Sequence, residues 1–113
     1  MYRQNIESDT VANTLYRKVE YTTPQMQLVL MSIPNGVDIG SEIHPKTTQF
    51  VRVESGTGVA VIGDRKVYLK DGVAIVIPPN TRHNIKSTSQ NLKLYTLYSP
   101  PEHPPTTKLK TKP

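Results

Sequence analysis

An alternation of apolar and polar residues with a period of two runs through most of the chain from residue 15 onward. Residues 15–21 alternate, and residues 25–33 form a mostly apolar run that ends at a Pro34-Asn35-Gly36 turn. Similar short segments, separated by turn residues, cover residues 37–43, 49–54, 58–62, 66–69, 73–77, 83–87 and 92–98. The pattern predicts an all-β fold of many short strands and no helix, as in a sandwich, a barrel or a jelly roll.

The second predicted strand, at residues 25–33, differs from the others because it is apolar at both parities from Leu28 onward. A strand of a sheet with one solvated face would keep polar residues at every second position. This pattern therefore predicts burial on both faces. A second copy of the chain would cover the outer face, so the strand also predicts a homodimer.

The two ends of the chain lack the strand pattern. Residues 1–12 are mostly polar without a sustained period, which predicts an N-terminal arm or an edge strand. Residues 99–113 are rich in proline and lysine, which predicts an extended tail that cannot join a sheet. A chain of 113 residues has room for one hydrophobic core. We therefore expect one barrel domain at residues 13–98.

Composition and charge narrow the function classes. The net charge of +5 is mild, and no cluster of basic residues interleaved with aromatics appears in the body, which argues against nucleic acid as a partner. No apolar run of about 18 residues and no apolar leader is present, which predicts no membrane segment and a soluble, cytoplasmic protein. Because the chain has no cysteine, nitrogen and oxygen atoms must hold any metal.

Four residues have the chemistry and the spacing of a metal site. Glu42 and His44 lie two apart on a predicted strand, so their side chains share one face. Gln49 follows after a turn, and His83 follows the rigid Pro78-Pro79-Asn80 turn. Two imidazoles, a carboxylate and an amide oxygen suit a divalent transition metal, namely Fe, Mn, Ni, Co or Zn, and leave positions open for water or substrate.

The spacing of these residues resembles that of a known family. The set Gly36, Glu42, His44, Gln49 and Gly56 is similar to the first cupin motif, G(X)5HXH(X)3,4E(X)6G, with matching spacings throughout. Glu42 stands where the motif has its first histidine, and Gln49 stands where it has glutamate. The carboxylate of the site has therefore moved to a different position.

A second set resembles the other cupin motif, G(X)5PXG(X)2H(X)3N. Gly72, Pro78 and His83 match it, whereas Asn80 and Ser87 replace its glycine and asparagine. The resemblance implies a cupin double-stranded β-helix, which is a jelly-roll barrel, with Glu42, His44, Gln49 and His83 at the metal positions. It also implies pairing through strand exchange, which is common among small cupins.

Two further features concern the end of the chain. Residues 94–103 resemble the close of small single-domain bacterial cupins, but His103 is predicted to be a solvated tail histidine. Tyr95 and Tyr98 lie on opposite faces of one predicted strand, so at most one points into the barrel.

Two function classes follow from this reading. The first is a metal-dependent enzyme, dioxygenase-like or isomerase-like, that acts on a small polar molecule. The alternative is a non-catalytic cupin that serves as a binding or assembly module without metal. The altered ligand set supports the alternative, whereas the carboxylate at Glu42 supports a retained ion.

Overall fold

The computed structural model describes residues 1–113 as two antiparallel sheets with one short helix. The elements are α1 (Ile6–Ala12), β1 (Arg17–Thr22), β2 (Gln27–Pro34), β3 (Thr48–Ser55), β4 (Thr57–Ile62), β5 (Arg65–Lys70), β6 (Ala74–Ile77), β7 (His83–Ser87), β8 (Asn91–Ser99) and β9 (Lys108–Leu109). The larger sheet has the order β6-β3-β8-β2-β1-β9, and the smaller sheet has the order β5-β4-β7. The all-β prediction is confirmed.

The core lies between the two sheets. Alternate residues of the central strands point inward, such as Val51 and Val53 of β3 and Leu92 and Leu94 of β8, and all four are buried. The smaller sheet contributes Ala60, Leu69 and Ile85 to the same cluster. The period of two that predicted the strands is therefore the period of core contacts.

The helix α1 contradicts the prediction that the chain has no helix. Asn5 caps it, because the Asn5 side chain accepts a hydrogen bond from the Ser8 amide at 3.0 Å. Glu7 and Asp9 lie in its first turn, where negative charge favours a helix N-terminus. No helix of the protein is long and apolar enough to cross a membrane. The domain boundaries and the cytoplasmic location stay predictions.

Both faces of β2 are buried, as its sequence predicts, but the chain itself supplies the cover. Leu28 and Leu30 are buried outside the core cluster. Helix α1 of the N-terminal segment contacts the neighbouring strands β8 and β3, and the Lys93 ammonium donates to the Asn13 carbonyl. The apolar pattern of β2 therefore gives no reason to require a second copy.

Two further segments differ from prediction. Residues 37–43 do not form a continuous strand but make two isolated pairings with β7, since a turn at Gly40, with φ +86°, interrupts them. The tail was predicted not to join a sheet, yet β9 pairs with β1. Its prolines lie at residues 100–105 and at 113, so residues 106–112 keep the backbone amides that pairing needs.

Candidate metal centre

The main chain fixes the positions of the predicted ligands at one end of the barrel. Glu42 and His83 face each other in an isolated bridge and exchange two backbone hydrogen bonds of 2.9 Å each. The His44 carbonyl accepts a hydrogen bond of 2.8 Å from the amide of Asn80, in the turn that leads to His83. Backbone hydrogen bonds therefore hold the two ligand-bearing segments together independently of any ion.

Three of the four predicted side chains converge. Glu42, His44 and His83 each offer one ligand atom, and these atoms lie within 4.8 Å of one another. The two imidazole rings are 5.1 Å apart between centroids. His83 is buried, and the His44 side chain is only 13% exposed. One ion could therefore contact all three residues.

Each of the two imidazoles has a buried Nε2 atom without a hydrogen bond. His83 Nδ1 is 2.9 Å from the Thr81 carbonyl, which can only accept, so Nδ1 carries the proton and Nε2 keeps a lone pair. His83 Nε2 is buried without a partner. His44 Nε2 is also buried without a hydrogen bond, although it lies 3.2 Å from Glu42 Oε2. Two such nitrogens beside a carboxylate fit a metal ion.

Gln49 is buried beside this cluster. Its Nε2 donates to Thr96 Oγ1 at 3.0 Å and to the Tyr98 hydroxyl at 3.3 Å, whereas its Oε1 is buried without a partner. Because two hydroxyls occupy the amide nitrogen, the amide oxygen is the atom left to bind something else. The role of Gln49 as a ligand stays a prediction.

Tyr98 is the one tyrosine of β8 that points toward the site. Its ring lies 5.9 Å from that of His44, whereas Tyr95 packs against Phe50 on the opposite face. The prediction that at most one of the two tyrosines points inward is confirmed. Burial raises the pKa of Tyr98 above its usual range, so its hydroxyl keeps its proton.

The tail contributes two residues whose role the sequence did not reveal. Glu102 Oε2 lies 3.4 Å from His44 Nδ1, and the His103 ring lies 5.1 Å from that of Tyr98. The prediction of a solvated His103 is wrong, since burial, followed by the nearby Arg17 charge, lowers its pKa to about 4. The cupin-like sequence of residues 94–103 was the one available signal.

The tail also closes this end of the barrel. The Thr47 hydroxyl donates to the Pro100 carbonyl at 3.3 Å, and the Ser99 hydroxyl donates to the Gln25 carbonyl at 2.8 Å. None of the three cavities in the structure is lined by Glu42, His44 or His83. The cluster therefore does not line a wide pocket, and the Glu42 side chain at its edge is 31% exposed.

The departures from the second motif are compatible with its backbone. Asn80, at a glycine position, has φ +58°, a conformation that asparagine tolerates better than most residues.

The glycine that ends the first motif is required by its surroundings. Gly56 has φ +86°, and an added Cβ would lie 2.2 Å from the Asn91 carbonyl oxygen. Only glycine fits there without a shift of the backbone.

Comparison with known proteins gives the family. The cupin domain family matches residues 29–98. The chain belongs to the cupin family. The cupin fold is equally clear in structure: BH2720 from Bacillus halodurans superposes with a TM-score of 0.95 at 42% identity, over 98% of this chain and 89% of that one.

Further relatives, some of them uncharacterised, extend this likeness. A Klebsiella pneumoniae protein with a double-stranded β-helix domain has a TM-score of 0.76 at 18% identity, over 98% of this chain and all of the other, which supports the fold alone. An uncharacterised protein of Acanthamoeba polyphaga mimivirus is 46% identical, over 93% of this chain and 69% of its own length. Bacillus subtilis YrkC is 42% identical, over 88% of this chain and 58% of its own length. The double-stranded β-helix prediction is confirmed.

Proposed function

We propose that this cupin binds one divalent transition metal ion and acts as a metal-dependent enzyme on a small polar molecule. The proposed ligands are Glu42, His44 and His83, with Gln49 as the fourth. The supporting observation is that one ligand atom from each of Glu42, His44 and His83 lies within 4.8 Å of the others, while His44 Nε2 and His83 Nε2 are buried without a hydrogen bond. A buried polar atom without a partner costs about 1–3 kcal/mol, and an ion would offset that cost.

The donor set suits iron, manganese, nickel, cobalt or zinc. Such an ion, when bound, polarises a substrate oxygen or activates dioxygen, which are the isomerase and oxygenase types of chemistry. The residues around the cluster would bind and orient the substrate. Tyr98 can do so because burial keeps its hydroxyl protonated, and a protonated hydroxyl is a hydrogen-bond donor.

Metal analysis of protein purified without added metal or a histidine tag tests this proposal. We expect about one ion per chain in the wild type, and none in a His44→Ala, His83→Ala double variant. His103→Ala is the matched control, because His103 lies beside the cluster and is not a proposed ligand. If no ion is found and iron, manganese, nickel, cobalt and zinc all fail to raise the Tm, the metal proposal is wrong.

The alternative is a non-catalytic binding or assembly module without metal, and the lack of a wide pocket at the cluster favours it. An enzyme needs coordination positions that water or substrate can reach. Water-proton relaxation of the manganese-loaded protein would report such positions. Exchangeable water on the bound ion supports the enzyme, whereas a protein that binds no manganese supports the module without metal.

The homodimer stays a prediction. Its support is no longer the apolar pattern of β2 but exposed apolar side chains on the smaller sheet. Val61 and Tyr68 lie on the smaller sheet, and they are 43% and 71% exposed. A second copy could bury these side chains. Sedimentation at micromolar concentration tests this prediction, and a monomer would exclude it.

A further inference from the structure

Two carboxylates flank the His44 imidazole, one beside each nitrogen. Glu42 Oε2 lies 3.2 Å from Nε2, and Glu102 Oε2 lies 3.4 Å from Nδ1. A neutral imidazole carries one proton, so each carboxylate favours a different tautomer. Metal binding through Nε2 requires the proton to sit on Nδ1, on the side of Glu102. Glu102 therefore favours the tautomer that an ion needs.

A buried amide holds the main chain on either side of this carboxylate. Gln27 of β2 is fully buried. Its Nε2 donates to the His103 carbonyl at 2.7 Å and to Thr22 Oγ1 at 3.1 Å. Its Oε1 accepts from the amides of Glu102 at 3.3 Å and His103 at 3.0 Å. Both ends of the amide are thus used to fix two consecutive tail residues.

The location of Gln27 makes it a firm anchor. It lies in β2, between β1 and β8, and pairs directly with Tyr98. A side chain from the middle of a sheet has little freedom to follow a moving tail. Glu102 is therefore held near His44 by the barrel itself and not only by the tail's own conformation.

We propose that Glu102 is a positioning residue that keeps the His44 proton on Nδ1, and that Gln27 places Glu102 by binding the backbone of the tail. This inference rests on the proposed function, since a lone pair on Nε2 is useful when an ion is bound. The tautomer itself is a property of the metal-free protein. It can therefore be tested without any metal.

Long-range ¹H–¹⁵N correlation spectra of the metal-free protein read the tautomer of His44 directly. They are recorded at a pH at which the ring ¹⁵N shifts themselves show a neutral imidazole. We expect a larger share of the Nδ1–H form in the wild type than in Glu102→Ala, because Glu42, which favours Nε2–H, then acts alone. Lys112→Ala is the matched control, since it removes a different tail contact, the ion pair with Asp38. An unchanged tautomer in Glu102→Ala would overturn the proposal.

The contribution of Gln27 is tested with Gln27→Leu and the double variant. Both should shift the His44 tautomer in the same direction as Glu102→Ala. The double variant should shift it no further than Glu102→Ala, because the two residues act through one contact. A wild-type tautomer in folded Gln27→Leu protein would refute the part of the proposal that concerns Gln27. If Gln27→Leu does not fold, Thr22→Val, which removes one partner of the same amide, replaces it with the same criterion and a smaller expected shift.

Metal affinity gives an independent readout. Loss of a group that orients a ligating histidine costs about 10- to 100-fold in metal affinity, so the zinc Kd of Glu102→Ala should rise by that factor. An unchanged zinc Kd would argue against a positioning role. If the wild type binds no metal, the proposed function fails, whereas the tautomer spectra still decide whether Glu102 controls His44.

Discussion

The two ends of the barrel interior are built by the same strands and have opposite chemistry. Inward residues of β8 run from Leu92 and Leu94 to Thr96 and Tyr98, and Gln49 of the antiparallel neighbour β3 pairs with Tyr98. One end is therefore aliphatic, and the other carries amide, hydroxyl and imidazole groups. The difference shows that one regular strand pattern can serve stability in its first half and binding in its second.

The two ends also differ in what they contribute to folding. Burial of a Leu side chain contributes about 1.5–3 kcal/mol, so Leu92 and Leu94 stabilise the fold. The polar end contains buried atoms without partners, namely Gln49 Oε1, His44 Nε2 and His83 Nε2. Each costs about 1–3 kcal/mol until something binds it. The aliphatic end offsets a cost that the candidate site imposes.

The largest effect is expected from a cavity at the aliphatic end. Leu94→Ala should lower the free energy of unfolding by about 2–5 kcal/mol, because Leu94 is fully buried in the core. Urea denaturation measures this loss. The zinc Kd of the folded variant should match that of the wild type, and a changed Kd would show that the two ends are not independent.

The next largest effect is the loss of stability at acidic pH caused by His103 at the polar end. His103 has a pKa of about 4 in the folded protein, below the ordinary value of 6.5, so the unfolded chain takes up the proton first. Stability from this group is complete above about pH 6.5 and falls as the pH drops toward 4. Melting curves across this range should show a smaller decline in Tm for His103→Gln. Equal declines in the two proteins would contradict the burial of His103.

A smaller effect on stability is expected from loss of the hydrogen bond between Thr96 of β8 and Gln49. Thr96→Val keeps the shape of the side chain and removes the acceptor of the Gln49 Nε2 hydrogen bond. We expect a loss of about 1 kcal/mol in the free energy of unfolding by urea titration. Thr106→Val, at an exposed position of the tail, is the control and should have no effect. A loss as large as that of Leu94→Ala would remove the contrast between the two ends.

The smallest effect concerns the turn before His83. Asn80→Gly should change the free energy of unfolding by less than about 0.5 kcal/mol, since both residues tolerate φ +58°. Asn80→Ala should cost about 1 kcal/mol, because alanine is disfavoured in that conformation. Thermal melting of the two variants checks the difference. A costly Asn80→Gly would mean that the asparagine side chain has a role of its own.

The sequence predicted the strands and much of the candidate site because both depend on local patterns. Alternation gives the strand faces, and two-residue spacing places Glu42 and His44 together. The tail could not be predicted in the same way. Glu102 and His103 reach the site through contacts with residues far along the chain, such as Gln27, which is 76 residues away from His103. The helix was missed because its capping signal is short and lies in a polar segment.

The amide of Gln27 also bears on the order in which the protein assembles. During synthesis, Gln27 leaves the ribosome long before Glu102 and His103, so its side chain lacks these partners while the other strands form. Contacts between residues so far apart in sequence are slow to form because a large loop must close first. The environment of His44 is therefore completed only after β8 has paired with β2, which brings the tail to Gln27.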